Sequence, residues 1–256
     1  MDIGVHEFWS FMLLFARVAA LLSVAPVFVH RSVPGATKVG LAALISYALL
    51  PLVGPQVTSV PTNLFSLITQ IAAETAVGLC LGFLVLLLMA AFQIAGHFVD
   101  IQIGFGIINV LNPFSEQQDS TMGLFLRQLG MTLFLLLGGH LYLIGTLAQS
   151  YALIAPGGAH FGSHLMAPFT DFVVQIFLLA AKIAAPATIV LLLIDVAFAI
   201  IARTMPQMNI FIVGLPAKII LGLMTVAFVL PAMAIAVGEV IPFLANGAQA
   251  LLRGTR

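Results

Sequence analysis

GHFVDIQIGFGIINVLNPFSEQQDSTM, residues 96–122, lies between two long and almost unbroken apolar runs, and the rest of the chain is organised around it. Gly96, Gly104 and Gly106 loosen the backbone, and Pro113 requires any preceding helix to end at or before Asn112. The first half sets Asp100 and Gln102 among apolar residues. The second half, Ser115 to Thr121, is wholly polar and carries Glu116 and Asp119. A hinge-like, half-apolar insert between membrane-length segments is the pattern of an element that plugs, gates or grips.

Outward from that insert, 62% of the 256 residues are apolar and 7% are charged, and the mean hydropathy is +1.18. A soluble domain carries about 25% charged residues, so this chain cannot cover a water-facing surface and belongs in a membrane or membrane assembly. Nine basic and nine acidic residues cancel. That balance excludes a polyanion-binding surface, and no nucleic acid is expected. The one cysteine, Cys80, lies in an apolar run and reads as a buried thiol. The N-terminus lacks the basic region of a cleaved signal, so an uncleaved first membrane segment is expected. Without repeats or low-complexity tracts, residues 1–256 are expected to form a single domain.

Six apolar regions stand out, at about 8–29, 39–54, 64–101, 124–155, 169–202 and 210–245. The fold class expected is therefore all-α. Arg17 interrupts the first region. The third is overlong: as one helix it would run about 57 Å against about 30 Å of hydrocarbon. It must tilt, break or leave the membrane plane. With six spans, the Arg31/Lys38 and Arg203/Lys218 loops fall on one side, which is cytoplasmic by the positive-inside rule. Arg253 and Arg256 then fall on the opposite side. The segments are not simple independent spans.

Glu74, Asp100, Asp171, Lys182 and Asp195 lie within or at the ends of apolar regions. Each costs a few kcal/mol against lipid, so a protein interface or wet cavity is expected around them. Asp171, Gln175 and Lys182 share one helical face. They read as part of a buried polar packing seam with Glu74, Asp100, Gln102 and Asp195; a proton relay or substrate path is the alternative. Gly78 and Gly82, beyond Glu74, permit close helix approach. Pro186, among alanines, reads as a kink in a tightly packed helix. The histidines are scattered, with two pairs and no third ligand, so neither a metal nor another cofactor is expected. No G-x-S-x-G, H-E-x-x-H or P-loop pattern occurs, and no enzymatic activity is expected.

Five blocks, in order along the chain, resemble the FliR family of flagellar type III secretion export-gate subunits. They are PVFVHRSVPGATKVGLA (26–42), GHFVDIQIGF (96–105), Asn112-Pro113 with its polar loop, GGHLYL (138–143) and RTMPQMNIFIVGLPAK (203–218). Asp100-x-Gln102-x-Gly104-Phe105 resembles the flagellar branch more than the injectisome branch. Asn112 replaces the Asp usual before Pro113.

The resemblance implies long, kinked helical hairpins packed with FliP, FliQ and FlhB homologues into a helical export gate. Its setting would be the inner membrane at the flagellar basal body, in contact with membrane lipid, and its cargo unfolded flagellar export substrates. It also implies a channel plug formed by Gly104, Phe105, Gly106, Ile107, Ile108, Asn109, Val110, Leu111, Asn112 and Pro113. The alternatives are a small-solute secondary transporter, supported by buried charges and Gly/Pro breaks, and an injectisome export-gate subunit.

Overall fold

Uninterrupted apolar runs with few helix breakers become long helices in the computed structural model, and no strand occurs among the described residues. The structure describes residues 2–29, 33–57, 60–61, 63–105, 120–159, 166–207 and 210–253. In chain order these form α1 (Asp2–Val24), the single turn α2 (Pro26–Val29) and α3 (Gly35–Val53), which ends in a 3₁₀ turn at Gly54–Gln56. Then come α4 (Leu64–Ile103), α5 (Thr121–Leu136), α6 (Gly139–Leu153), α7 (Met166–Thr204) and α8 (Ile210–Arg253).

Five of these helices are long and apolar enough to cross a membrane, or six if bent α5–α6 counts as one span. The overlong third region resolves as a single helix, since α4 runs unbroken for 40 residues, about 60 Å. Of the three expected outcomes, a break is excluded. The fourth region divides instead. Gly138, at φ +75°, turns the chain between α5 and α6, and the two axes differ by 68°. Helix α7 continues through Pro186.

The chain divides into two compact units. One comprises residues 1–87, 138–173 and 241–256; the other comprises 88–137 and 174–240. In the first unit, α1 packs on α3 and on the first half of α4. The α1–α4 crossing is set by glycine. A Cβ on Gly78 would strike the Arg17 carbonyl and lie 2.8 Å from the Ala20 Cβ, and one on Gly82 would lie 2.8 Å from the Leu21 carbonyl. Glu74, Gly78 and Gly82 recur every four residues, so one stripe of α4 meets α1 backbone to side chain. Nearby, Trp9, Leu13 and Val57 form a buried cluster.

In the second unit, α4 and α5 form an antiparallel hairpin whose closeness again depends on glycine. A Cβ on Gly96 would lie 2.6 Å from Gly123 Cα, and one on Gly130 would lie 2.6 Å from the Phe92 ring. In the same unit a Cβ on Gly222 of α8 would lie 2.6 Å from the Ile103 side chain.

Filling the α1–α4 contact is expected to force the helices apart, at a cost of about 1–3 kcal/mol. Gly78→Val should lower the thermal unfolding midpoint of the detergent-solubilised chain. Gly145→Ala, at a helical position with open space around it, should leave the midpoint unchanged or raise it. Equal midpoints for the two variants would contradict the close crossing.

Candidate functional site

Two polar constructions stand out in this apolar structure, one in each unit. The first is built on Arg17, which sits mid-helix in α1 with 0% exposure, and Glu74 of α4, also at 0%. Arg17 Nε donates to Glu74 Oε2 at 2.7 Å, and Nη2 donates to Oε1 at 3.0 Å. This is a forked pairing that a planar guanidinium permits and an ammonium does not. Arg17 Nη1 donates to Ser150 Oγ of α6 at 2.9 Å, and Nη2 reaches the Ile154 carbonyl at 3.4 Å. The Tyr151 ring lies 4.1 Å from the guanidinium carbon, in cation–π contact.

Glu74 is equally well satisfied. Its Oε1 also accepts from the Gly157 backbone N–H at 2.8 Å. Gly157 adopts φ +80°, and its missing Cβ leaves room for the Gln70 side chain. Only glycine combines that backbone and that clearance. One ion pair thus ties α1, α4, α6 and the turn after α6 together. Buried charges are tolerated because each donor and acceptor finds a partner.

The second construction is centred on Asp100, 3% exposed near the C-terminus of α4. Its carbonyl accepts from Gly104 N at 3.0 Å, closing the helix where Gly104 takes φ +95°. Its carboxylate accepts from Met122 N at 3.2 Å, at the first turn of α5. Ser120 caps that helix by accepting from Gly123 N at 2.8 Å. A carboxylate facing the free N–H groups of a helix start is favoured by hydrogen bonding and by the helix dipole. Gly96, one turn before Asp100, allows α5 to come this close. Asp100 therefore ties the C-terminal end of α4 to the first turn of α5.

Helix α4 ends at Ile103, nine residues before the limit that Pro113 imposes. Gly104 thus acts as a helix terminator at the loop's base, and Phe105 beside it is half-buried. Gly106, Ile107, Ile108, Asn109, Val110, Leu111, Asn112 and Pro113 lie outside the described residues.

The residues assigned to a polar seam separate into different environments. Glu74 and Asp100 are fully engaged, each in its own unit. Gln102 is half-buried. Asp195 of α7 pairs with Lys218 of α8 in the second unit. Asp171 and Lys182 are exposed. Arg17, Ser150 and Gly157 were absent from the expected site. For Arg17 the available signal was its isolation in an apolar helix, which demands an acidic partner. Among the described residues, no group of three metal-ligating side chains converges.

Removing one member of the Arg17–Glu74 pair strands the other without water, which costs about 3–5 kcal/mol. Glu74→Leu or Arg17→Met alone should sharply reduce the yield of folded chain after solubilisation. The double variant should recover part of that loss, and Arg17→Lys should recover less than the double. Size-exclusion yield and thermal midpoints report both comparisons. Asp100→Ala should remove a charge-assisted bond worth about 1.5–3 kcal/mol and speed protease cleavage between residues 105 and 120. Asp100→Asn, which keeps an acceptor oxygen, should stay closer to the parent.

Comparison with known proteins fits these features. Residues 8–242 match the family described as bacterial export proteins, family 1. The flagellar biosynthetic protein FliR of Bacillus subtilis is 33% identical over 219 residues, covering 84% of this chain and 83% of the relative. FliR of Escherichia coli is 30% identical over 227 residues, covering 89% and 85%. The Yop proteins translocation protein T of Yersinia pestis is 30% identical over 222 residues, covering 85% and 84%. With a match that spans nearly the whole chain, this protein belongs to the bacterial export proteins, family 1.

Proposed function

We propose that this chain is a subunit of the flagellar type III protein export gate in the bacterial inner membrane. In this reading it helps to form and close the channel through which unfolded flagellar proteins pass. Family membership and the FliR relatives support the export role. The observation that carries the closure role is the loop base at Asp100, where one residue holds both ends of an insert.

The segment Gly104–Pro113 acts as the plug, with Ile107, Ile108, Val110 and Leu111 as its apolar body. Apolar side chains across a pore close it by dewetting, because water and ions gain nothing by entering. Gly104 and Gly106 provide the pivot for displacement by an arriving chain. Asp100, Gly96 and Ser120 keep the base in place while the body moves. The role is mechanical and non-enzymatic.

FliP, FliQ and FlhB homologues are the partners, and the exposed charges Asp171 and Lys182 on apolar α7 need protein neighbours because lipid solvates them poorly. The translocation relative from Yersinia pestis favours one second reading, a subunit of an injectisome gate. The Asp100-x-Gln102-x-Gly104-Phe105 sequence favours the flagellar assignment.

Deleting Gly106–Pro113 should leave the complex assembled while making the membrane leaky to ions. Conductance of reconstituted complexes, or ion-sensitive growth of cells expressing them, checks this. Normal assembly with no added leak would remove the plug role.

A further inference from the structure

Ile103, the last residue of α4, is fully buried, and the residue after it, Gly104, turns out of the helix at φ +95°. What holds Ile103 comes from α7 and α8, within the same unit. A Cβ on Gly222 of α8 would lie 2.6 Å from both Cγ1 and Cδ1 of Ile103, and 3.4 Å from Cδ2 of Leu191. Leu191 of α7 is itself fully buried. The Ile103 side chain is thus a peg, seated against bare α8 backbone with α7 at its side.

One turn away on both helices stands the Asp195–Lys218 ion pair. Asp195 follows Leu191 by four residues on α7, and Lys218 precedes Gly222 by four on α8. Pair and socket therefore share one face of each helix. Ala187 and Val226, both buried, continue those faces on the other side of the socket. Apolar contact alone tolerates a slide of α7 against α8; facing opposite charges favour one register, the one that brings Leu191 level with Gly222. Unlike the sealed Arg17–Glu74 pair, Lys218 and Asp195 keep side-chain exposures of 22% and 41%. Parting them strands neither charge completely, so this pair costs less to open.

The geometry points to a positioning device: the α7–α8 hairpin, latched by Asp195–Lys218, grips Ile103 and fixes the end of α4 from which the plug segment starts. Its functional weight rests on the plug reading of Gly104–Pro113. Asp100 ties α4 to α5 through a hydrogen bond, and Ile103, three residues on, ties α4 to α7 and α8 through packing. The last turn of α4 is held on two sides by different chemistry. A shift of α8 along α7 carries Gly222 away from Ile103 and frees that turn. Gly222, Leu191, Asp195 and Lys218 act through Ile103 and are positioning residues.

Hydrogen exchange in the detergent-solubilised full chain reads the grip, because the Gly104 amide bonds to the Asp100 carbonyl at 3.0 Å only while the last turn is closed. Gly→Ala inside a helix ordinarily stabilises it. Gly222→Ala should instead speed exchange in peptides covering residues 99–105 by about fivefold, since the added methyl displaces the peg. Adding Ile103→Ala, which vacates the space, should bring exchange back towards the parent. Lys218→Glu should speed the same peptides, and adding Asp195→Lys should restore them. Gly78→Val, which weakens the first unit, should leave them unchanged; that separates the grip from a general loss of packing. Parent-like exchange in Gly222→Ala, or no recovery in either double variant, overturns the device. Ion conductance of reconstituted complexes then tests the link to closure, and Gly222→Ala should add leak. Faster exchange without leak, in complexes that do leak when Gly106–Pro113 is deleted, overturns the role in closure. Should that deletion not leak either, the plug reading fails and the exchange result still supports the grip.

Discussion

The buried Arg17–Glu74 pair is the constraint from which the rest of its unit follows. Two charges removed from water hold only when their hydrogen-bonding capacity is satisfied, and here α1, α4, α6 and the turn at Gly157 all contribute. An apolar contact tolerates sliding by a residue; a forked guanidinium–carboxylate pair with fixed neighbours does not. In an assembly where almost every surface is apolar, such a pair sets helix register that hydrophobicity alone leaves loose. Glycines make it reachable. Gly78 lets α1 approach until Arg17 lies beside Glu74 one turn away, and Gly82 continues the contact.

The α4–α5 hairpin applies the same logic to a different end. Gly96 admits the α5 backbone, and Asp100 and Ser120 then each satisfy one of the N–H groups that every helix start leaves open. A rigid base results from two helices that have few polar atoms to spare. Under the plug reading proposed above this division of labour matters: an insert can be displaced repeatedly only if its points of attachment survive each displacement. The polar atoms of Asp100 provide the attachment, and Gly104, at φ +95°, ends α4 beside it.

Several expectations drawn from residue patterns carried through to the tertiary structure, for identifiable reasons. The long helices were visible because apolar runs with few breakers have few other ways to satisfy their backbone in a membrane. The importance of 96–105 was visible because glycine and aspartate are costly in an apolar helix unless something specific uses them. The bend at Gly138 was not visible, since the run from 124 to 155 contains no proline and two adjacent glycines need not take positive φ. The early end of α4 was also hidden. Pro113 announces a stop, but Gly104 reached its left-handed conformation nine residues before it.

The amino-acid sequence by itself determined that this protein is helical and suited to a membrane, because composition and periodicity report solvent and local backbone preference. It also marked Glu74, Asp100, Asp171, Lys182 and Asp195 as charges in need of partners. Only the tertiary structure decided which partners Glu74, Asp100 and Asp195 have. Arg17 lies 57 residues from Glu74, and the Met122 amide lies 22 residues from Asp100. Those pairings depend on helix crossing, and crossing depends on which glycines face which backbone. One dimension encodes the need for a partner, and three dimensions choose it.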